Sequence, residues 1–441
     1  MAFATAALTN PAPTQASPRA SGDQLWATTY DNGGKNDAAY AEVASPDSSK
    51  VFVTGSSVTD VHSSDYDYLT VAYDVATGAV EWAETFDTGG GRDDQAYAIA
   101  VSPDGTKVYV TGTTGELTAT GDYLTVAYDS ATGSVLWEAQ YNGPGNSNDR
   151  AIGIGVSIDS ATVFVTGTSD GGSSLDDYGT VAYDADTGSE RWVARYTSPC
   201  ACDDEASALL VSPDGRSVFV TGEAYGVHPY DFYTLAYDTA TGQTLWAARV
   251  NVKNKYEDPG YLAITPDASQ LFVVGWSGDG VSTDDDWLTV AYEAATGVEK
   301  WRERLHGADS SIDDPEGAAV SADGSRLYVT GRVQTGIFTS YMATVAYDVT
   351  SGAVLWRIRR AGEGCCIAVA PRGPALYIDE TGRGGANSIG AIDGRTGRLR
   401  WVASGIVGRL ALTPDGSTLL VASSTTGPAG DEDYMETAFV A

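Results

Sequence analysis

The 441 residues are 42% hydrophobic, enough apolar material for a sizeable core, but the formal charge is −33, from 59 acidic against 26 basic residues. Such a charge repels nucleic acid phosphates and anionic membrane surfaces, so neither is expected as a partner. No apolar run approaches the length of a membrane-spanning helix.

Residues 1–22 are rich in Ala, Thr and Pro and lack a basic start. They read as a disordered linker or the remnant of a trimmed export signal, which places the expected location outside the cell. The rest of the chain, 23–441, reads as one domain built from a repeat. Its clearest copy is Asp122 to Trp137, DYLTVAYDSATGSVLW. Leu124, Val126 and Tyr128 alternate with Thr125, Ala127 and Asp129, the period of a strand. Ser130 to Gly133 supply turn formers, and Val135 to Trp137 begin a return strand. The same hairpin ends at Trp82, Trp137, Trp192, Trp246, Trp301, Trp356 and Trp401, and counted from Trp26 onward the spacings are 54 to 56 residues until a final 45.

A second hairpin interleaves with the first. Ser102-Pro103-Asp104-Gly105 followed by Val108-Tyr109-Val110-Thr111-Gly112 has Pro and Gly where a type I turn places them, and it too recurs. Each unit therefore contains four short strands, A and B around the SPDG turn, C and D around the ATG turn. Units of this kind are propeller blades. Trp26 lies on a strand D without a strand C before it, and Asp433 to Ala441 form a strand C without a strand D after it. The two ends complete one another, which predicts an all-β, eight-bladed propeller closed by its termini, with strand A innermost.

Ala72-Tyr73-Asp74, Thr77-Gly78 and Trp82 spell A-x-D-x-x-T-G-x-x-x-W, repeated at 127–137, 182–192, 236–246 and 391–401. This resembles the tryptophan-docking repeat of the pyrroloquinoline-quinone (PQQ)-type propellers, and the wider unit resembles the bacterial secreted β-propeller repeat proteins. The resemblance covers 23–441 and implies the fold; activity in propellers sits in loops. It also implies a PQQ-and-calcium oxidoreductase as one alternative, with a vicinal Cys365–Cys366 disulfide. The Asn, Glu and Asp calcium-and-base set of those enzymes is not found at matching positions here.

The D-to-A and B-to-C connections share one face, and two acidic series fall there. Asp37, Asp94, Asp149, Asp204, Glu257 and Asp313 stand seven residues before the end of strand A; Asp67, Asp122, Asp177, Asp231 and Asp286 stand three residues before the Thr of strand C. Blades 7 and 8 break both series with Gly362, Gly405 and Tyr434. A repeated Asp at a strand entry fixes loops by accepting backbone N–H groups; the same carboxylates, Asp37, Asp94, Asp149, Asp204, Asp286 and Asp313, are candidate ligands of calcium, a hard cation that takes oxygen.

The remaining candidates are loop residues. His228 with Tyr230 and Asp231, in AYGVHPYD, is a base beside a phenol and the best catalytic constellation. His62, His306, Tyr225, Arg359 and Arg360 are candidate ligand contacts, the arginines as carboxylate or sulfate clamps or as mere charge balance within an Arg-rich blade 7. Cys200, Cys202, Cys365 and Cys366 suggest disulfides, with zinc at the first pair as an outside alternative. Three function classes follow: a monomeric binding propeller taking a glycan, peptide or protein partner with calcium, a top-face polysaccharide lyase or hydrolase, and a PQQ-dependent oxidoreductase.

Overall fold

Among the described residues every strand pairs antiparallel within a group of four, and there are eight such groups. The computed structural model describes residues 19–33, 36–58, 66–89, 93–115, 121–173, 175–225, 230–252, 256–278, 285–307, 313–336, 339–362, 364–381, 387–427 and 430–441. Blade 1 comprises Asp37–Ala44, Lys50–Val58, Tyr66–Asp74 and Val80–Phe86 as strands A to D, and the order repeats through blade 7, which ends at Arg398–Ser404. Blade 8 is composite: Arg409–Leu412, Thr418–Thr426 and Glu432–Val440 supply A to C, and Gln24–Tyr30 supplies D. Trp26 pairs with Ala438 and Tyr30 with Tyr434. Strand A of each blade lies against strand A of the next, and that of blade 8 against that of blade 1, which makes the A strands the inner ring.

The core lies between blades rather than in one centre. Phe52, Tyr68, Ala72 and Trp82 of blade 1 pack on Val108, Val110, Leu124 and Val126 of blade 2, and each junction repeats the pattern. Blade-to-blade docking explains the repeat motif. Trp82 donates its indole N–H to Ser130 O in the next blade's C-to-D turn at 3.1 Å, Trp137 to Ala185 O at 3.0 Å, and Trp26 to Val75 O at 2.8 Å. The turn's Gly lies flat against that indole. At Gly133 φ is +76°, and a Cβ would stand 2.8 Å from Trp82 Cδ2. Gly22 meets Trp401 in the same way, also at 2.8 Å, so the N-terminal segment provides the docking glycine that closes the ring. Gly133→Val combines a left-handed backbone with overpacking and is expected to cost about 3 kcal/mol, read from denaturant unfolding.

Cross-blade tyrosines add a second tie. Tyr68 OH donates to Leu124 O at 3.1 Å, Tyr123 OH to Gly179 O at 3.2 Å, and Tyr434 OH to Leu69 O at 3.1 Å. This corrects the register read from sequence in blade 8. Tyr434 is the equivalent of Tyr68, so Asp433, not Tyr434, occupies the outer acidic position and continues that series. Thr437, which set the earlier alignment, stands in a Val position. The residue aligned with the strand C Thr is Glu436, paired with Ala422, where other blades hold a Thr pair such as Thr54–Thr70 at 3.0 Å. Cys365 and Cys366 immediately precede strand A of blade 7, Ile367–Val369.

Candidate functional site

The two acidic series do not run as separate arcs. Strand C of one blade enters beside strand A of the next, so each junction brings an outer acid against an inner one. A backbone latch sets the approach. Asp94 N–H donates to Tyr66 O, and Tyr66 N–H donates to Asp93 Oδ1 at 3.0 Å. Asn148 accepts from Gly121 N–H at 3.0 Å and Asn36 from Glu432 N–H at 3.1 Å. The signal was present in the sequence as Asn-Asp and Asp-Asp dipeptides at 36–37, 93–94, 148–149 and 203–204.

The inner acids are buried and fix loops. Asp37, Asp94, Asp149, Asp204, Glu257 and Asp313 are all 0% exposed. Asp94 accepts Thr88 N–H at 2.8 Å and Gly115 N–H at 3.2 Å; Asp149 accepts Gly143 N–H at 2.7 Å and Asp170 N–H at 3.0 Å. Asp204 holds Ser198 and Tyr225 by their N–H groups, and Asp313 holds Gln334 N–H at 2.9 Å. Each carboxylate thus ties the incoming D-to-A connection to strand B or the loop after it. Burial, first, pushes Asp37, Asp94, Asp149, Asp204 and Glu257 up, and Glu257 rises to about 8, with Asp231 as its charged neighbour.

Between blades 3 and 4, 4 and 5, and 5 and 6, an arginine three residues after the docking tryptophan meets the outer acid. Arg195 Nη2 lies 2.9 Å from Asp177 Oδ2, Arg304 Nη2 lies 2.9 Å from Asp286 Oδ2, and Arg249 pairs with Asp231. His306 joins the third of these, its Nδ1 2.5 Å from Asp286 Oδ1. The structure therefore unites two separately chosen candidates, Asp286 and His306. Asp231 is held by Arg249 and the Asn251 amide. Arg359, at the equivalent place in blade 6, lies over the Tyr341 ring at 4.7 Å, and Arg360 pairs with Glu380 of blade 7. His62 and His228 fall outside the described residues.

A cavity of about 510 Å³ opens on this face between blades 3 and 4. Tyr196, Tyr225, Tyr233, Pro199, Cys200, Ala224 and Arg249 line it. Tyr196 stacks on Tyr233 at 4.2 Å between ring centroids; Tyr225 meets Tyr230 edge-on at 5.4 Å, and Tyr230 continues to Tyr256 at 6.2 Å. The Cys200–Cys202 disulfide braces the connection that forms one wall. Burial, then Glu223, Asp203 and Glu205, raise the Tyr230 phenol, which keeps it a hydrogen-bond donor at neutral pH. Towards the channel the wall is acidic: burial with Asp258, Glu205 and Asp203 pushes Glu223 up to about 8, and burial with Asp314 pushes Asp258 up to about 6. Tyr225, Tyr230 and Asp231 were legible as candidates; Tyr196 and Tyr233 were not, because they read as ordinary strand positions.

The second disulfide, Cys365–Cys366, is vicinal, as the family resemblance implied. Arg409 Nη1 lies 3.8 Å from Cys366 Sγ, and Asp379, raised to about 7 chiefly by burial, contacts Cys365. Among the described residues, Asp379 is the one carboxylate that groups with these sulfurs within 4.8 Å, so this cluster alone does not supply the several oxygen ligands that calcium takes.

No helix of the described residues is long and apolar enough to cross a membrane. No curated protein matches the sequence. Among solved structures, a europium-containing methanol dehydrogenase is 14% identical over 95% of this chain and 93% of its own, with a TM-score of 0.62. Chaetomium thermophilum Sqt1, bound to the N-terminus of ribosomal protein L10, is 15% identical over 94% and 98%, TM-score 0.62. BamB from Moraxella catarrhalis is 15% identical over 95% and 97%, TM-score 0.51. At these identities the likeness is one of fold. A family profile described as outer membrane protein assembly factor BamB matches residues 121–285 and 284–435. With its docking tryptophans, eight blades and matched repeats, the chain belongs to this family of PQQ-type propeller-repeat proteins.

Proposed function

We propose that this is an exported, monomeric binding propeller that takes a glycan in the tyrosine-walled cavity between blades 3 and 4. The observation that carries the reading is the cavity itself. Its volume falls in the range of small-ligand sites. Tyr196, Tyr225 and Tyr233 offer aromatic faces to the apolar side of a sugar ring, with phenol and guanidinium groups beside them for its hydroxyls. Export is supported by the absence of free cysteines, since both pairs are disulfide-bonded. Calcium belongs to the proposal as a stabiliser of the acidic face.

The test is binding of the intact chain to an array of neutral and acidic oligosaccharides, followed by calorimetry on the tightest. Tyr233→Ala removes a stacked ring and is expected to weaken binding by about 1–2 kcal/mol, roughly five- to thirtyfold, measured at a temperature where the variant, which also loses packing on Tyr196, remains folded. Undiminished affinity in that variant, or no glycan bound at millimolar concentration, contradicts the proposal.

A further inference from the structure

We infer that the seam where the ring closes, between blades 8 and 1, holds a calcium ion between Asp31, Asp37 and Asp433. One carboxylate oxygen from each of the three lies within 4.8 Å of the other two. Asp433 is 1% exposed, and among the described residues neither of its oxygens has a hydrogen-bond partner. Asp37 is fully buried, with Oδ2 accepting the Asn32 N–H at 2.8 Å. A buried carboxylate with no donor among the described residues, as at Asp433, costs several kcal/mol, and the buried Asp37 carboxylate beside it adds to that cost.

The other junctions show what belongs there. At 3/4, 4/5 and 5/6 the outer acid is paired with Arg195, Arg249 and Arg304, each three residues after its docking tryptophan. At the seam that position is Thr29, and the position two residues later is Asp31. The repeat has therefore exchanged a built-in guanidinium for a third carboxylate. That exchange removes one positive charge and adds one negative charge at the same place, which is the composition of a divalent-cation site. All three ligands are carboxylate oxygens, which suits calcium and excludes a preference for softer metals; waters and backbone carbonyls complete its shell. Blades 1 and 2 meet with the same composition, Asp67, Asp87 and Asp94 grouping where Thr85 replaces the arginine. The seam lies three junctions from the tyrosine cavity, and the inference does not rest on the glycan reading.

Crystals of the full chain soaked in terbium(III), a calcium probe with strong anomalous scattering, test it directly. A peak between Asp31, Asp37 and Asp433 is expected, displaced by excess calcium; saturating terbium without a peak there overturns the inference. Thr29→Arg supplies the missing guanidinium. It is expected to fold, to lose the seam peak, and to melt in chelator at or above the wild-type chain in chelator. A seam peak that survives in Thr29→Arg overturns the argument. Asp433→Asn is expected to weaken calcium binding at the seam about tenfold or more while the fold persists, and unchanged affinity contradicts the assignment.

Discussion

A chain that begins at Asn36 is expected to lose cooperative unfolding, and a synthetic peptide of residues 19–33 to restore it. Gln24–Tyr30 is the outer strand of blade 8, paired along Glu432–Val440. Without it that strand is left as an open edge, a template for association between chains. Three packing contacts go at once: Trp26 with its 2.8 Å bond to Val75 O, the stack of Gly78 on Trp26, and the stack of Gly22 on Trp401. Truncating a large core aromatic costs about 3–5 kcal/mol, and losing the half-buried Trp26 together with its hydrogen bond and both glycine stacks is of that order, a large part of the stability of an ordinary domain. The readout is tryptophan fluorescence against denaturant, with size exclusion to detect association. A truncated chain that stays monomeric and unfolds with wild-type cooperativity contradicts closure by the termini.

Replacing Glu436 with Gln is expected to stabilise the protein above neutral pH and to flatten its pH dependence. Glu436, 1% exposed, sits in strand C of blade 8 where six other blades carry Thr, and it meets Glu42 of strand A in blade 1. Glu42 in turn stands where blades 2, 3 and 4 place Ile99, Ile154 and Leu209, each opposite a strand B valine. Burial raises both carboxyls, and the Glu42 charge raises Glu436 further. The sign follows from proton counting. A raised native value means that the folded state binds protons the unfolded chain has released, so this pair's contribution is fully present below the ordinary carboxyl value, 4.5. It is lost as pH climbs from there towards the raised native values. One group costs about 1.4 kcal/mol per pH unit across that window. Unfolding free energies at about pH 5 and about pH 8 should fall by at least this much more in the wild-type chain than in Glu436→Gln. Parallel pH profiles in the two chains would remove the pair from the account.

Much of the architecture was legible because packing residues repeat with the blades. The tryptophan spacing gave the blade period, and the orphan strands around Trp26 and Asp433 gave the closure. Thr437 misled the alignment of blade 8 because a strand C whose usual Thr is Glu436 offers the wrong Thr as a marker. Positions of the acids were equally legible, yet their meeting across junctions was not: it depends on how strand C of one blade approaches strand A of the next, a relation between residues such as Asp177 and Asp204 that no local pattern contains. Arg195, Arg249 and Arg304 stand at a fixed offset from tryptophans, and only their contact with Asp177, Asp231 and Asp286 shows why. Tyr196 and Tyr233 come from different blades, so the cavity they wall has no signature along the chain. The tyrosine beside the histidine in AYGVHPYD did point to this part of the face, because long aromatic connections stand out against short repeats.

Hydrogen exchange of the intact protein, with and without the tightest-binding oligosaccharide, tests the central claim most directly. Slowed exchange is expected at Tyr196 to Cys202, at Ala224 and Tyr225, and at Tyr230 to Tyr233, with the seam between blades 8 and 1 unchanged. Protection confined to the channel-lining A strands, or to blades remote from this cavity, would contradict the assignment of the site.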